Sequence, residues 1–202
     1  MFRMIAFFGL GALALAGCDS GAGDAAQESA ATTQARDAAG RAPPPPQIPG
    51  KIVRAFAGTE LPALSFEDAE GQTLDLAAID QPILLNLWAT WCAPCVIEMP
   101  TLDTLAGELD GEVRVITVSQ DVRGAEVVEP FFAQKGFKRL EPWLDPNADL
   151  AAEFTDAGLL PITILFDAEG KELLRVAGGY EWDSPEAIAA VRDALQSPDK
   201  AE

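Results

Sequence analysis

Two cysteines separated by two residues, Cys92 and Cys95, are the residues of this chain best suited to chemistry. Pro94 stands between them, where a helix is expected to begin, because proline is favoured in the first turn. A cysteine just ahead of a helix faces unpaired backbone N–H groups and the positive end of the helix dipole, which favour its thiolate. The second sulfur, within the first turn, is close enough to attack a mixed disulfide on the first. The spacing therefore predicts a pair that cycles between dithiol and disulfide.

Such a pair is also half of a common zinc site, but the composition argues against that alternative. The chain has 3 cysteines and no histidine, so the other ligands of a four-coordinate site are missing. The lack of histidine also excludes Ser-His, Cys-His and His-ligated metal mechanisms. A purely stabilising bridge is disfavoured, because so short a loop constrains little of the unfolded chain. We expect no metal and no cofactor.

The third cysteine, Cys18, has a different expected role. Arg3 precedes an apolar run at residues 4–16, which is too short for a comfortable membrane span and typical of an export signal. The run ends in Leu15-Ala16-Gly17-Cys18, which resembles the bacterial lipobox. That resemblance implies removal of residues 1–17 and a lipid on the Cys18 sulfur. An ordinary signal peptide cut near Ala16, with Cys18 as a bystander, is the alternative, and both versions export the protein.

The rest of the chain divides by composition. Residues 18–49 are rich in Ala, Gly and Ser, include four consecutive prolines at 43–46, and predict a lipid-anchored, disordered linker. Residues 50–198 alternate short apolar runs with amphipathic stretches, which predicts a single α/β domain, and residues 199–202 form a short tail. Asp19 resembles the residue that retains some Gram-negative lipoproteins at the inner membrane. We therefore expect a periplasm-facing anchor there. The net charge of -18 disfavours binding to nucleic acid.

Within the domain, local patterns predict two hairpins, two central strands and several helices. The hairpins cover residues 64–76 and 162–176, the central strands 83–87 and 113–118, and the helices start near Pro94 and at a Ser184 N-cap, with helical pieces at 127–134 and 150–154. Pro130 is expected to interrupt the first of those pieces.

The sequence around the cysteine pair resembles a known family. Trp91-Cys92-Ala93-Pro94-Cys95, followed by Glu98-Met99-Pro100, is similar to the WCxPCxxEMP signature of TlpA/ResA-like thioredoxins, a group that includes bacterial cytochrome c biogenesis reductants. The element order is similar over roughly residues 50–195. The resemblance implies a thioredoxin-like fold, with a central mixed β-sheet flanked by helices, an N-terminal hairpin, and an insertion at 124–154 before a cis-proline loop. It also implies that Cys92 is the exposed attacking thiol and Cys95 the buried resolving thiol.

Two polar residues gain expected roles from this resemblance. Glu98, three residues after Cys95, is expected to manage the proton of the resolving thiol, with a pKa raised by burial. The alternative is a solvated glutamate stabilised by the helix dipole. Asn86 stands six residues before Cys92, where cytosolic thioredoxins carry a buried aspartate, and its amide cannot titrate. The alternative for Asn86 is a polar residue satisfied by strand backbone.

Three further residues are expected to contact substrate. Leu160-Pro161 resembles the cis-proline loop, which in the family pairs with an extended substrate segment; a trans proline in a plain loop is the alternative. Trp91 is expected to form an exposed ledge beside Cys92, whereas Trp88 is expected to pack in the core.

These observations favour an enzyme, a thiol:disulfide oxidoreductase that passes electrons from a membrane donor to protein disulfides, such as those of the haem-binding cysteines of apocytochrome c. Ala93 and Pro94 place no cation between the cysteines, so the extreme thiolate stabilisation of a strong oxidant is not expected. A thiol peroxidase of the peroxiredoxin type is an alternative, but it requires a threonine three residues before the attacking cysteine, and Thr90 is two before. A non-enzymatic Cu(I) carrier is another alternative, and related copper-delivery proteins use wider cysteine spacing and a histidine.

Overall fold

The computed structural model describes residues 49–155 and 158–196 of the chain. The predicted signal peptide, Cys18, the linker up to residue 48 and the tail at 199–202 lie outside the described residues.

Eight strands form one mixed sheet in the order β1-β8-β7-β4-β5-β6-β2-β3. The strands are β1 (Lys51–Val53), β2 (Ser65–Glu67), β3 (Thr73–Asp75), β4 (Ile83–Trp88), β5 (Arg114–Ser119), β6 (Trp143–Leu144), β7 (Ile162–Phe166) and β8 (Glu172–Ala177). The helices are α1 (Ala93–Glu108), α2 (Ala125–Lys135), α3 (Asp149–Phe154) and α4 (Pro185–Gln196), with a 3-10 turn at Leu76–Ala78. The predicted thioredoxin-like fold, a mixed sheet flanked by helices, is confirmed.

Strand β4 lies at the centre of the sheet and is buried on both faces. It pairs in parallel with β5 and antiparallel with β7. Successive side chains of a strand point to opposite faces, so Leu84 and Trp88 enter one core while Leu85 and Leu87 enter the other. The apolar run predicted as a central strand therefore holds both cores together, and its end carries the segment that leads to the cysteine pair.

The structure confirms the predicted hairpins and the start of the last helix. β2 pairs with β3, and β7 with β8, each antiparallel. The Ser184 hydroxyl accepts the Ala187 N–H at 3.1 Å, as an N-cap does.

One predicted helix break is wrong. α2 is continuous from Ala125 to Lys135 although Pro130 lies inside it. Proline removes one backbone hydrogen bond, here the bond to the carbonyl of Glu126. Phe131 and Phe132 pack on Trp88, with ring centroids 5.1 and 5.9 Å from the indole, and this packing offsets the lost bond.

Among the helices of residues 49–155 and 158–196, none combines the length and the apolar character needed to span a bilayer.

Candidate active site

The cysteine pair lies at the junction of β4 and α1 and forms a disulfide, with an S–S distance of 1.99 Å. Cys92 is the N-cap of α1: its backbone is extended, with φ -85° and ψ 99°. Its sulfur accepts the backbone N–H of Cys95 at 3.3 Å. One free N–H group of the first helical turn thus faces this sulfur, which is an arrangement that favours a thiolate once the bond is reduced.

The two cysteines differ in solvent exposure, but by less than the sequence predicts. Cys95 is 0% exposed and Cys92 is 6% exposed. The expectation of an openly exposed Cys92 is therefore wrong for the oxidised form, because the N-cap geometry and the bond to Cys95 turn this sulfur toward the helix. Cys92 is still the only member of the pair with surface exposure.

The turn that precedes Cys92 carries the exposed tryptophan. The Cys92 N–H donates to the Ala89 carbonyl at 3.1 Å and closes the turn. Trp91, inside this turn, is 68% exposed, while Trp88 at the end of β4 is 0% exposed. The predicted opposite fates of the two tryptophans agree with these exposures.

Asp121, two residues after the end of β5, holds this turn. It is 4% exposed, and its carboxylate accepts the Thr90 N–H at 2.8 Å and the Thr90 hydroxyl at 2.7 Å. The Ser119 hydroxyl is a third donor, at 2.8 Å. β4 and β5 are parallel neighbours, so their carboxyl ends, and these side chains, meet at one edge of the sheet.

Glu98 is buried one turn after Cys95, with 2% of its surface exposed. One carboxylate oxygen accepts the Asn86 amide N–H and the other accepts the Tyr180 backbone N–H, each at 2.9 Å. Burial raises the pKa of Glu98 from an ordinary 4.5 to about 8. Two hydrogen-bond donors, the Tyr180 N–H and the Asn86 amide, lower this pKa in part. The nearby Trp182 indole also lowers it, although the indole N–H forms no hydrogen bond to any described residue.

Asn86 links Glu98 to the cis-proline strand. Its amide group is fully buried and donates a second hydrogen bond to the Thr163 hydroxyl at 2.8 Å. The amide oxygen is buried and has no hydrogen-bond partner among the described residues. Asn86 is therefore paired with side chains, not with the strand backbone that the alternative interpretation required.

The Leu160-Pro161 peptide is cis. Pro161 is directly followed by β7, and Ile162 pairs with Leu87 near the end of β4. The register therefore brings the proline loop to the sheet edge that carries the cysteine pair. Leu160 is half-buried and Leu159 is 48% exposed, so this loop presents an apolar surface.

A cleft of about 580 Å³ runs along one side of α1. Pro94, Ile97, Glu98 and Thr101 line it from the helix, and Tyr180 lines it from the opposite wall. These four positions on α1 fall on one face of a 3.6-residue helix. The cleft reaches Pro94 at the start of α1 and gives the buried carboxyl group of Glu98 a path to water.

Comparison with known proteins agrees with this geometry. Residues 56–190 match the Redoxin family. The chain belongs to the Redoxin family. It is 34% identical over 134 residues to the thiol:disulfide interchange protein HelX of Rhodobacter capsulatus, covering 64% of this chain and 73% of that protein. It is 27% identical over 122 residues to the thiol-disulfide oxidoreductase ResA of Bacillus cereus, covering 60% and 69%.

A solved relative supports the fold. The exposed lipoprotein thioredoxin Etrx1 of Streptococcus pneumoniae superposes with a TM-score of 0.53 at 24% identity, over 66% of this chain and 98% of that one. Within the Redoxin family, the chain is a thiol:disulfide oxidoreductase of the TlpA/ResA type, as the motif around Cys92 predicts.

Sequence reasoning missed several residues that this Redoxin-family site assembles. Tyr180 and Thr163 hold the Glu98–Asn86 pair, and Asp121 holds Thr90. These partners come from segments distant in the chain, and no local spacing pointed to them. The one available signal was a polar run, Ser119-Gln120-Asp121, directly after a strand whose parallel neighbour ends at the cysteines.

Proposed function

We propose that this oxidoreductase works as a reductant of protein disulfides on the envelope side of a bacterial membrane, with Cys92 as the attacking thiol and Cys95 as the resolving thiol. The observation that carries this proposal is Glu98, a buried carboxyl group with a pKa raised to about 8, placed one turn from the buried cysteine. An ordinary thiol has a pKa of about 8.5. A carboxyl group that titrates in this range can act as the general base for a nearby thiol.

The steps follow from these positions. The Cys92 thiolate attacks one sulfur of a target disulfide, and the other target sulfur leaves as a thiolate that takes a proton from water. In molecules whose Glu98 is ionised, Cys95 then gives its proton to Glu98 and attacks the Cys92 sulfur. The second target thiolate leaves, and the Cys92–Cys95 disulfide remains, so two electrons have passed to the target. Glu98 releases its proton through the cleft beside α1, and a membrane donor restores the dithiol.

The surroundings of the cysteine pair favour electron flow from this chain to its target. Ala93 and Pro94 supply no cation, and the Cys92 sulfur accepts one backbone N–H. A strong oxidant needs a highly stabilised thiolate, and here that stabilisation is modest. The chain therefore favours the disulfide form and gives up electrons readily.

Asn86, Trp91 and the Leu160-Pro161 loop complete the proposed site. Asn86 orients the carboxyl group of Glu98 through its amide N–H. Trp91 and Leu160 offer apolar contacts to an extended substrate segment. The haem-binding cysteines of apocytochrome c are the substrate that the TlpA/ResA resemblance favours.

Export and a lipid anchor on Cys18 are part of the same proposal. They are supported by the lipobox-like end of the apolar N-terminal run. The pneumococcal relative is itself described as an exposed lipoprotein. The anchor would hold the domain at the periplasmic face of the inner membrane, within reach of a membrane donor.

The test is turnover of the detergent-solubilised full chain with a protein disulfide and a dithiol as the electron source. We expect the wild-type chain to reduce the protein disulfide, Cys92→Ser to abolish turnover, and Cys95→Ser to accumulate a mixed disulfide through Cys92. The reduction potential should lie nearer the about -270 mV of thioredoxins than the about -120 mV of a strong periplasmic oxidant. Full turnover by both single variants, or a potential near the oxidant's, would contradict the proposal.

A further inference from the structure

Asp121 is a buried carboxylate that the steps of disulfide exchange do not use. Three donors converge on it, two from Thr90 and one from Ser119. None of the arginine or lysine side chains in the described ranges forms an ion pair with it. A buried charge is costly unless hydrogen bonds compensate for its lost hydration. Two of the three compensating bonds go to a single residue of the turn that carries Trp91, so Thr90 is held at both its backbone and its side chain.

The residues of the turn at 89–92 are held in place by different contacts. Ala89 and Cys92 are joined by the hydrogen bond that closes the turn, and Cys92 is also fixed by α1. Thr90 is fixed by Asp121 alone among these contacts. Trp91, between Thr90 and Cys92, projects into solvent at 68% exposure. Loss of the Asp121 contacts would therefore let the Trp91 side chain adopt other orientations, while both sulfurs keep their positions at the start of α1.

We propose that Asp121 is a positioning residue for substrate docking: it clamps Thr90 so that Trp91 is presented beside Cys92 in the orientation that an incoming protein disulfide meets. This inference rests on the proposed function of Trp91 as a substrate contact. It assigns the clamp to recognition of a large substrate and not to the exchange of electrons between the two cysteines.

Four variants of the full chain separate the clamp from general stability. Asp121→Asn leaves an acceptor for one Thr90 donor and places an NH₂ group against the other. Thr90→Val removes the hydroxyl bond and keeps the backbone bond. Thr90→Ser keeps both bonds and is the conservative rescue. Ser119→Ala is the matched control, since it removes a hydrogen bond from the same carboxylate, together with the bond that the Ser119 hydroxyl accepts from the Asp121 N–H, without touching Thr90.

The measurements are KM and kcat for insulin, the rate with a small aromatic disulfide, the reduction potential of the pair and the urea midpoint of unfolding. A hydrogen bond to a charged group has a net free energy that corresponds to about tenfold or more in an equilibrium constant. We expect KM for insulin to rise about tenfold in Asp121→Asn and severalfold in Thr90→Val. We expect values within twofold of wild type in Thr90→Ser and Ser119→Ala. The rate with the small disulfide and the potential should stay unchanged in Thr90→Val, Thr90→Ser and Ser119→Ala, because these three variants alter no charge and neither property depends on the direction of Trp91.

Four other results would contradict the proposed clamp or the proposed function. A wild-type KM for insulin in both Asp121→Asn and Thr90→Val overturns the clamp while leaving the proposed function intact. An equal rise of KM in Ser119→Ala, or a changed potential in Thr90→Val, overturns it as well, since the effect would then be one of stability or of the thiols. If the wild-type chain reduces neither insulin nor the small disulfide, the proposed function fails and the clamp fails with it. If Asp121→Asn does not fold, Thr90→Val against Thr90→Ser decides the question.

Discussion

Replacing Glu98 with glutamine should stabilise the protein at neutral and alkaline pH and at the same time slow its exchange chemistry. Glutamine has the shape of the protonated glutamate and no charge to bury. Its carbonyl can accept the Tyr180 N–H. The amide oxygen of Asn86 has no hydrogen-bond partner in the described residues of the wild-type chain. If the Asn86 amide flips over, this oxygen can accept a hydrogen bond from the NH₂ group of the new glutamine.

The magnitude follows from the pKa of Glu98. The folded value of about 8 exceeds the ordinary value of 4.5, so between these two pH values the folded chain holds a proton that the unfolded chain has released. The stability contribution is therefore fully present below pH 4.5 and is lost as the pH rises through 8. At 1.36 kcal/mol for each unit of difference in pKa, the whole loss is about 5 kcal/mol, of which about 3 kcal/mol has gone by pH 7.

The assay is urea denaturation of the oxidised chain at pH 5, 7 and 9. We expect the free energy of unfolding of the wild-type chain to fall over this range by a few kcal/mol more than that of Glu98→Gln. Glu181→Gln is the matched control, because Glu181 is an exposed glutamate that lines the same cleft, and this variant should follow the wild-type curve. Parallel curves for Glu98→Gln and wild type would refute the reasoning.

The same variant should slow the second step of exchange. Without the carboxylate, Cys95 loses the group that accepts its proton, so resolution of a mixed disulfide on Cys92 should slow by at least about tenfold at pH 9, where the wild-type Glu98 is ionised. Stopped-flow measurement of the release of the second target thiol checks this expectation, and an unchanged rate would assign the proton to water instead.

Three other changes have expected outcomes. Trp91→Ala should raise KM for a protein disulfide by about tenfold and leave the reduction potential unchanged; an unaltered KM would remove Trp91 from the docking surface. Asn86→Leu removes a donor to the carboxylate and should raise the pKa of Glu98 further, which the pH dependence of mixed-disulfide resolution would report as a shift to higher pH. Cys18→Ser should release the protein from the membrane fraction, and continued membrane association of the variant would argue against the lipid anchor.

The sequence by itself determined the features that depend on short separations along the chain. The sulfur of Cys92 and the N–H of Cys95 are three residues apart, so a helix start is enough to bring them together. The Ser184 cap and the two hairpins depend on equally local rules of turn and helix geometry. The nearly continuous apolar run of β4 also predicted burial on both faces. A strand with one solvated face would instead alternate apolar and polar side chains.

Only the tertiary structure decided which polar groups surround the redox pair. Glu98 meets Tyr180, Asn86 meets Thr163, and Thr90 meets Asp121 across separations of 82, 77 and 31 residues. Such contacts depend on strand order and register, which place β5 and β7 on either side of β4. The raised pKa of Glu98 has the same origin, since burial is a property of everything packed around a residue.

Two expectations drawn from the sequence alone were wrong. The interruption at Pro130 was predicted from local backbone rules, but packing of two phenylalanines on Trp88 outweighs one lost hydrogen bond. The open exposure of Cys92 was expected from its role, but the N-cap geometry turns its sulfur toward the helix. Sequence spacing fixes which groups are near in the chain, whereas depth of burial is set by elements that meet only when the sheet is complete.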